Sequence, residues 1–403
     1  MGASMNPNSE FSDVSIVGAG LSGLVAAKAF AVAGFSVASL GALERGGRGR
    51  TVALFGRSIA LLKRIGVWPQ VEASAAPLRV LRIVDDTGSL FAPGPIDFQC
   101  ADIGLDAFGW NIENADLAEI VAEALTAEPA VRRREARFER LAWEADRIVA
   151  IADGARRFTA ALLVGADGRG SPTRKAAGLR VRPHVYRQSA LTAFLRHSRP
   201  HEDVSTEFHT RQGPFTLVPL QRRDGAPNRS SLVWLMSEAE GRRRAALDDS
   251  ALAREVEKQS RALLGRIEIE GARALVPMMA QCASRLTARR VALVGDAAHV
   301  FPPIGAQGLN LGLRDVEGLV AAAEAARAAG RDIGDEAALQ SYARARAPDI
   351  AGRMLAVNGL NLSLLEAYAP IDALRGAGLV ALKTIGPLRR MVMREGLSPL
   401  WAP

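Results

Sequence analysis

Three glycine-rich turns, two of which carry an aspartate, each follow an apolar run in this chain. They occupy residues 18–23, 165–171 and 295–308. Glycine lets the backbone approach a bound molecule closely, and an aspartate after a buried strand can accept hydrogen bonds from ligand hydroxyl groups. Because the three turns share this chemistry, we expect them to bind one long ligand along one sheet.

The first turn has the spacing of a dinucleotide-binding unit. Residues 14–17 are predicted to form a strand, and an alanine-rich helix is predicted after the turn. Gly18 permits a tight bend, Gly20 lets the backbone reach a pyrophosphate, and Gly23 lets the helix pack against the strand. The glycine pattern alone is weak evidence, but its place between a strand and a helix predicts a bound dinucleotide.

The end of the second predicted strand departs from the usual dinucleotide unit. This strand is predicted at residues 35–40, and Gly41 stands where an aspartate or glutamate normally binds ribose. Glu44 could take that role, or the backbone alone could hold the ribose. Arginines follow closely. Arg48 and Arg50 are candidates for cofactor binding, because guanidinium groups pair bidentately with phosphates and carboxylates.

The third turn combines a carboxylate with a stiffened loop. A strand predicted at residues 291–294 leads into Gly295 and Asp296. Prolines and glycines then follow: Pro302, Pro303, Gly305 and Gly308. Proline fixes φ and glycine leaves room for a ligand, while a helix beginning near residues 307–310 directs free N–H groups into the loop. Such a site favours the negative charge that a reduced flavin carries at its pyrimidine end.

His299 lies in the same loop, beside Val300 and Phe301. It could act as an acid or base, but a histidine among apolar neighbours is more often a structural hydrogen bonder. No other side chain has the pattern of a nucleophile, so no catalytic residue is assigned. The loop could also be a plain turn between a core strand and a core helix, but its aspartate, prolines and glycines together favour a binding site.

The composition is that of a globular enzyme with a basic surface. A chain of 403 residues can bury a large core and is expected to form two interleaved domains. Cys100 and Cys282 provide neither a disulfide framework nor a metal site, so we expect a reducing, cytoplasmic location. The net charge of +8 suggests an acidic partner surface. No nucleic-acid-binding motif accompanies it, and an anionic membrane face fits it.

Coarser patterns predict other elements. Runs of period two at residues 189–195 and 231–236 predict a sheet that covers a substrate, and residues 131–164 predict a small β-meander. Asn114 is predicted to cap the helix that follows it, and Asp248, Asp249 and Ser250 are predicted to cap an amphipathic helix that extends to Leu264.

Three stretches of the chain together resemble the fingerprints of a known family. They read GAGLSG at residues 18–23, GADGRGSPTR at 165–174 and VGDAAHVFPPIGAQGLNLGLRD at 294–315. They are similar to the motifs of the FAD-dependent aromatic hydroxylases typified by para-hydroxybenzoate hydroxylase. The resemblance extends over nearly the whole chain, and the third motif is highly specific. One departure is the order Gly305-Ala306, which the family more usually has exchanged.

The resemblance implies a role for each candidate residue. It implies that the glycines of the first turn contact the FAD pyrophosphate, and that Asp167 lies between the sites for FAD and NAD(P)H. By the same resemblance, Asp296 holds the ribityl chain. The residues implied to face the isoalloxazine ring are Pro303, Gly305, Gly308 and Leu309.

The family also implies the fold class. We expect an α/β fold in which a Rossmann-like FAD-binding domain with a three-layer ββα sandwich is interleaved with an α+β substrate domain and followed by a helical C-terminus. The expected division is 1–75, 106–178 and 286–330 for the FAD-binding domain, 76–105 and 179–285 for the substrate domain, and 331–403 for the helical segment.

Shorter similarities narrow the expected function. Residues 50–54, 215–220 and 231–234, with the helical C-terminus, resemble the ubiquinone-biosynthesis hydroxylases in particular. This branch implies a monooxygenase that hydroxylates the aromatic ring of a polyprenylated phenol through a flavin hydroperoxide formed with O2, after NAD(P)H or another electron donor has reduced FAD. A soluble aromatic substrate, a flavin reductase or halogenase on the same fold, and a non-catalytic prenyl-lipid carrier remain alternatives.

The C-terminal segment adds an expectation about partners. Residues 374–394 intersperse apolar residues with lysine and arginine, a pattern typical either of a helix on an anionic bilayer or of one packed against protein. With a prenylated substrate implied, we expect peripheral contact with the inner face of the membrane or with a ubiquinone-biosynthesis complex. The oligomeric state, including a homodimer, stays open.

Overall fold

The computed structural model describes residues 9–43, 49–88, 94–302, 307–365, 378 and 380–397. In chain order the strands are β1 (Ser9–Val17), β2 (Val37–Leu40), β3 (Thr51–Phe55), β4 (Ala76–Leu78), β5 (Val80–Asp85), β6 (Ile96–Gln99), β7 (Gly109–Glu113), β8 (Val131–Arg134), β9 (Phe138–Trp143), β10 (Ile148–Ala152), β11 (Arg157–Gly165), β12 (Val181–His197), β13 (Val204–Thr210), β14 (Gly213–Leu220), β15 (Arg229–Ser237), β16 (Ile267–Ala283), β17 (Thr287–Ala288), β18 (Val291–Leu293) and β19 (His299–Val300). The helices are α1 (Leu21–Val32), α2 (Gly56–Arg64), α3 (Trp68–Ser74), α4 (Asn114–Thr126), α5 (Pro172–Ala176), α6 (Glu238–Ala245), α7 (Asp249–Gln259), α8 (Gln307–Ala328), α9 (Glu336–Leu365) and α10 (Gly386–Leu397).

The first sheet carries the three predicted turns. Its strands lie in the order β17-β18-β11-β1-β2-β8, and all but β17 run parallel to their neighbours. The register places Val17 beside both Gly165 and Leu40, and Gly165 beside Leu293. Because these strands end at one edge of the sheet, the turns that follow them meet there.

Burial on both faces explains why the central strands are apolar. Val14, Ile16, Leu162 and Val291 are fully buried, as expected for a parallel sheet covered on both sides. Helix α1 packs against this sheet, α8 packs against α1, and α9 contributes Tyr342 to the same core. Strands β9 and β10 continue antiparallel from β11 and form the predicted meander.

The second sheet is mostly antiparallel. Its order is β19-β16-β12-β15-β14-β13-β5-β6, with β13 and β5 parallel. Helices α6 and α7 cover one face, where Leu191, Phe215, Trp234 and Leu252 form a separate core. A third, small sheet has the strand order β3-β7-β4. In the sequence, β3 and β4 come after β2 of the first sheet and before β5 of the second. The predicted α/β class with a helical C-terminal region is confirmed.

Strands of the second sheet come from two separate stretches of sequence, as an interleaved domain requires. Strands β5 and β6 lie within the expected range 76–105, and β12 to β16 lie within 179–285. Strand β19 joins this sheet from beyond that range. The domain boundaries themselves stay predictions.

The two predicted helix caps differ in outcome. Of the predicted Asp248, Asp249 and Ser250, Asp248 is the residue that caps α7, because its Oδ1 accepts a hydrogen bond from the Ala251 N–H at 2.7 Å. The helix ends at Gln259, before the predicted Leu264. The prediction for Asn114 is wrong by one position: Glu113 is the N-cap, and Asn114 is already the first helical residue. Strand β7 pairs with β3 as far as Glu113, which lies opposite Thr51. This pairing keeps the backbone of Glu113 extended, so the helix begins at the next residue.

Candidate active site

A cavity of about 570 Å³ lies at the carboxyl edge of the parallel sheet. All three predicted turns line it, with Gly18 and Gly20 from the first, Asp167 from the second and Asp296 from the third. The parallel register brings these distant parts of the sequence together. The expectation that the turns share one site therefore agrees with their position in the fold.

The glycines of the first turn have different tasks. Gly18 has a φ of 117°, and a Cβ there would lie 2.3 Å from the carbonyl oxygen of Ala166. Gly20 is the N-cap of α1, lines the cavity and has open space where a Cβ would stand. Gly23 does not line the cavity. A Cβ at this position would lie 2.0 Å from the Gly18 carbonyl oxygen, so only glycine lets the helix approach the turn this closely. Gly23 is thus a packing residue.

The position of Gly41 explains the departure from the usual ribose-binding acid. Gly41 lines the cavity with a φ of 140°, and a Cβ there would lie 3.0 Å from the backbone nitrogen of Ala19. An acidic side chain would be strained in this conformation. Glu44 and Arg48 lie outside the described residues, and their candidate roles stay predictions.

Arg50 lies at the rim of the cavity. Its side chain is exposed, and its backbone carbonyl accepts a hydrogen bond from the Asn114 N–H at 3.0 Å. Asn114 also lines the cavity, so the start of α4 and Arg50 form one wall. This places the guanidinium group where it can reach a negatively charged part of a ligand.

Asp167 shapes its own turn. Its carboxylate accepts hydrogen bonds from the Ser171 hydroxyl and, at 2.8 Å, from the Thr173 N–H. Both oxygens are therefore engaged within the turn and the start of α5. Asp167 lines the cavity, but the bonds it makes organise the loop beside the ligand.

Arg174 is a site residue to which sequence reasoning gave no role. It is buried and donates hydrogen bonds to the carbonyl oxygens of Ala297 at 2.8 Å and Arg169 at 2.9 Å. Burial lowers the pKa of this guanidinium from its ordinary value, while the charge of Asp167 opposes that shift. Arg174 thus ties the second turn to the third. Its only sequence signal is its place at the end of the GADGRGSPTR motif.

Asp296 presents its carboxylate to the cavity. Its side chain is exposed there, yet protein surrounds it on its other sides. This partial removal from water raises the pKa of Asp296 above its ordinary value, and the charges of His299, Arg50 and Arg169 counteract the shift. The carboxylate is therefore available to hydrogen-bond donors of a ligand.

The third turn is held close to α1 and α8. Gly295 has a φ of 59°, and a Cβ there would lie 2.5 Å from the Ser22 hydroxyl oxygen. A Cβ at Gly312 of α8 would lie 2.9 Å from the Gly295 Cα. Helix α8 begins at Gln307 as predicted, and its first turn lines the cavity through Gly308 and Leu309.

Two predicted flavin contacts cannot be placed. Pro303 and Gly305 lie outside the described residues, so their roles stay predictions. His299 is buried, does not line the cavity and lies 2.6 Å from an oxygen of Asp315 through its Nε2. This geometry supports the structural interpretation of His299.

The cavity fits an FAD molecule. A glycine turn at the amino end of α1 suits a diphosphate, and open space beside Gly20 leaves room for it. The Asp296 carboxylate suits the hydroxyl groups of a ribityl chain. The amino end of α8, which lines the cavity through Gly308 and Leu309, suits negative charge on the ligand.

Comparison with known proteins agrees with this fit. The chain matches the model of a family described as FAD binding domain over residues 12–356. Ubiquinone hydroxylase UbiL of Rhodospirillum rubrum is 32% identical over 402 residues, covering 96% of this chain and 90% of that protein. The 3-demethoxyubiquinol 3-hydroxylase of Escherichia coli is 28% identical over 398 residues, covering 96% of this chain and 98% of the relative.

Solved structures have the same fold. The p-nitrophenol 4-monooxygenase PnpA from Pseudomonas putida matches with a TM-score of 0.78 at 21% identity, covering 96% of this chain and 98% of that one. PqsL from Pseudomonas aeruginosa matches with a TM-score of 0.74 at 22% identity, covering 92% and 100%. Because the family model and a relative of this identity match most of its length, the chain belongs to the FAD binding domain family and is an FAD-dependent monooxygenase.

Proposed function

We propose that this enzyme hydroxylates the aromatic ring of a prenylated phenol in ubiquinone biosynthesis. The observation that carries the proposal is the full-length similarity to relatives named ubiquinone hydroxylase and 3-demethoxyubiquinol 3-hydroxylase. The meeting of three ligand-binding turns at one cavity supports it. One oxygen atom of O2 enters the ring and the other leaves as water, with two electrons from NAD(P)H or another donor.

The residues of the cavity would bind and orient the cofactor. Gly18 and Gly20, at the amino end of α1, would hold the diphosphate, and Asp296 would accept hydrogen bonds from ribityl hydroxyl groups. Bound and reduced FAD supplies the activation of O2. The partial positive charge at the start of α8 would stabilise negative charge at the pyrimidine end of the ring system.

The second sheet would cover the reaction and keep water out. Strand β15 meets β3 where the Ser231 hydroxyl lies 3.1 Å from that of Thr51, which lines the cavity. The Asn111 side chain donates to the Pro219 carbonyl oxygen at 2.8 Å. These contacts fix the sheet against the cofactor wall. The chain's main task is then positional, and no side chain has to act as a nucleophile.

We also infer peripheral contact with an anionic membrane. Residues 380–384 and α10 attach to the second sheet on one side, where Met393 packs among Phe98 and its neighbours and Arg389 lies 3.2 Å from Asp102. Apolar and basic side chains are exposed elsewhere on this segment, at Val380, Lys383, Ile385, Arg390, Met391, Val392 and Arg394. We call these seven residues the C-terminal surface. Mixed apolar and cationic exposure fits an anionic bilayer.

Binding to vesicles tests this membrane contact. Among the described helices, none combines the length and the apolar composition of a membrane-spanning segment. From the C-terminal surface we expect reversible binding to vesicles that contain phosphatidylglycerol, and weaker binding to pure phosphatidylcholine. Met391→Glu should reduce co-sedimentation, whereas Leu355→Glu, an exposed apolar position on α9 outside the C-terminal surface, should not. Equal binding of both variants would contradict the inference.

Isotope incorporation tests the reaction itself. The holoenzyme is supplied with a reductant, a phenol bearing a short prenyl chain and O2 enriched in heavy oxygen. We expect one heavy oxygen atom in the product ring by mass spectrometry. Reductant consumption without incorporation would instead identify a reductase. Turnover of soluble phenols alone would reject the prenylated substrate.

A further inference from the structure

A cluster of buried charged side chains lies beneath the third turn and has no part in the chemistry described above. Its members are His299, Arg314, Asp315, Arg346 and Asp349, all of them buried. We call it the turn cluster. Burying several charges is unfavourable unless they are paired, so a cluster of this size calls for a reason beyond simple packing.

Asp315 holds both ends of the turn that carries Asp296. One of its oxygens, Oδ2, accepts a hydrogen bond from the Gly295 N–H at 3.0 Å and lies 2.6 Å from the His299 Nε2. Gly295 precedes Asp296 and His299 follows it. A single carboxylate oxygen therefore fixes the backbone before Asp296 and a side chain after it.

The other oxygen of Asp315 connects the turn to α9. Its Oδ1 accepts a hydrogen bond from the Arg346 Nε at 2.8 Å, and the Arg346 Nη1 lies 2.8 Å from Asp349. Asp349 in turn lies 3.3 Å from Arg314. The charge of Asp315 is thus balanced by a guanidinium that is itself anchored, which makes the carboxylate a rigid support.

The remaining contacts of the turn leave Asp296 free to face the cavity. Arg174 holds the Ala297 carbonyl oxygen, and Gly295 packs closely against Ser22. The backbone on both sides of Asp296 is therefore fixed. Asp296 itself is exposed and lines the cavity.

We propose that Asp315 is a positioning residue for the cofactor, acting through the turn that presents Asp296 to the flavin half of FAD. The proposal rests on the role given to Asp296 under the proposed function. Asp315 is buried and lies outside the cavity, yet by this proposal it affects both the rate of FAD release and the absorption spectrum of the bound flavin.

The substitution Asp315→Asn tests this role. Asparagine has the same shape but only one acceptor oxygen, so its amide NH2 must face either the Arg346 guanidinium or the Gly295 N–H. Either orientation loses one support of the turn. The rise in flavin fluorescence after dilution of the holoenzyme measures the rate of FAD release. We expect this rate to increase by at least about tenfold. At saturating FAD, the absorption maxima of bound flavin should shift towards those of free FAD.

Two further variants keep the test decisive. His299→Ala removes one support and leaves the bond between Asp315 and Arg346, so it should change both readouts in the same direction by a smaller amount. Glu270→Gln weakens a partly buried ion pair with Arg229 in the second sheet and serves as the matched control. Its flavin release and spectrum should equal those of the parent at temperatures where circular dichroism shows a folded protein.

Specific outcomes would overturn the proposal. Asp315→Asn could release FAD at the parent rate with an unchanged spectrum, or Glu270→Gln could change both readouts equally. Asp296→Ala could retain FAD normally while Asp315→Asn does not, in which case Asp315 would not act through Asp296. Failure of the prenylated substrate in the isotope experiment leaves these flavin measurements unaffected, so the two ideas fail separately.

Discussion

Two clusters of charged side chains, each built around a buried arginine, differ in what they connect. The turn cluster lies within one core and joins α8, α9 and the third turn. A second cluster, Arg229 with Glu113 and Glu270, joins β15 to β7 and β16 and so ties the second sheet to the small sheet. We call it the sheet cluster. In both places the chain puts buried ion pairs where one element must keep its position relative to another.

Substitution of Arg229 should have the largest effect on stability. Arg229 is 1% exposed and pairs with Glu113 at 2.8 Å and Glu270 at 2.7 Å. Arg229→Met removes the guanidinium partner of both glutamates. Loss of one partner of a buried ion pair lowers the free energy of unfolding by about 3–5 kcal/mol. Arg223 near Glu113 and Arg196 near Glu270 offer partial compensation, so we expect about 3 kcal/mol. Urea unfolding measures it.

The same variant separates the two clusters. Arg229→Met should accelerate FAD release less than Asp315→Asn does, because the third turn keeps its supports and only Glu113, beside the cavity-lining Asn114, loses a partner. A rise comparable with that of Asp315→Asn would mean that both clusters act only through general stability. The distinction between them would then disappear.

Tyr342 provides a smaller test on the side of the turn cluster. Its hydroxyl is buried and donates to the Leu293 carbonyl oxygen at 2.7 Å, at the end of the strand that leads into the third turn. Tyr342→Phe removes one neutral hydrogen bond and should lower the free energy of unfolding by about 1 kcal/mol. Thermal unfolding measures this change. A loss as large as that of Arg229→Met would mean that the hydroxyl supports more than this one bond.

A partly exposed carboxylate paired with two arginines should have the smallest effect. Arg243 and Arg244 lower the pKa of Glu255 from 4.5 to about 2. Since the folded pKa lies below the unfolded one, this contribution is complete above about pH 4.5 and is lost as the pH falls towards 2. Glu255→Gln should therefore lower stability only slightly at neutral pH, by less than about 1 kcal/mol, and flatten the acid limb. An unchanged acid limb would contradict the shift.

The sequence was sufficient to predict the cofactor edge of the fold. A glycine-rich stretch after an apolar strand predicts where a tight turn lies, because glycine is required only in particular backbone conformations or at close approaches. Gly18 is an example of both. Parallel pairing then brings the turns together. The start of α8 and the cap at Asp248 were predicted by the same local reasoning.

Long-range partners could not be predicted in this way. Nothing local marks Asp315, Arg346 or Arg229 as buried, since each resembles a solvated charge in a helix or strand of mixed composition. Their pairing depends on how α9 and the second sheet pack. Asn114 shows a smaller limit, because the pairing of β7 with β3 moved the helix cap to Glu113.

The position of Arg346 late in the sequence, where it supplies the positive charge that pairs with Asp315, affects the order of events in synthesis of the enzyme. Arg346 and Tyr342 belong to α9, which follows every turn that lines the cavity. A nascent chain on the ribosome therefore lacks the support of the Asp296 turn until residue 346 has emerged. Flavin loading should accordingly be a late event in synthesis.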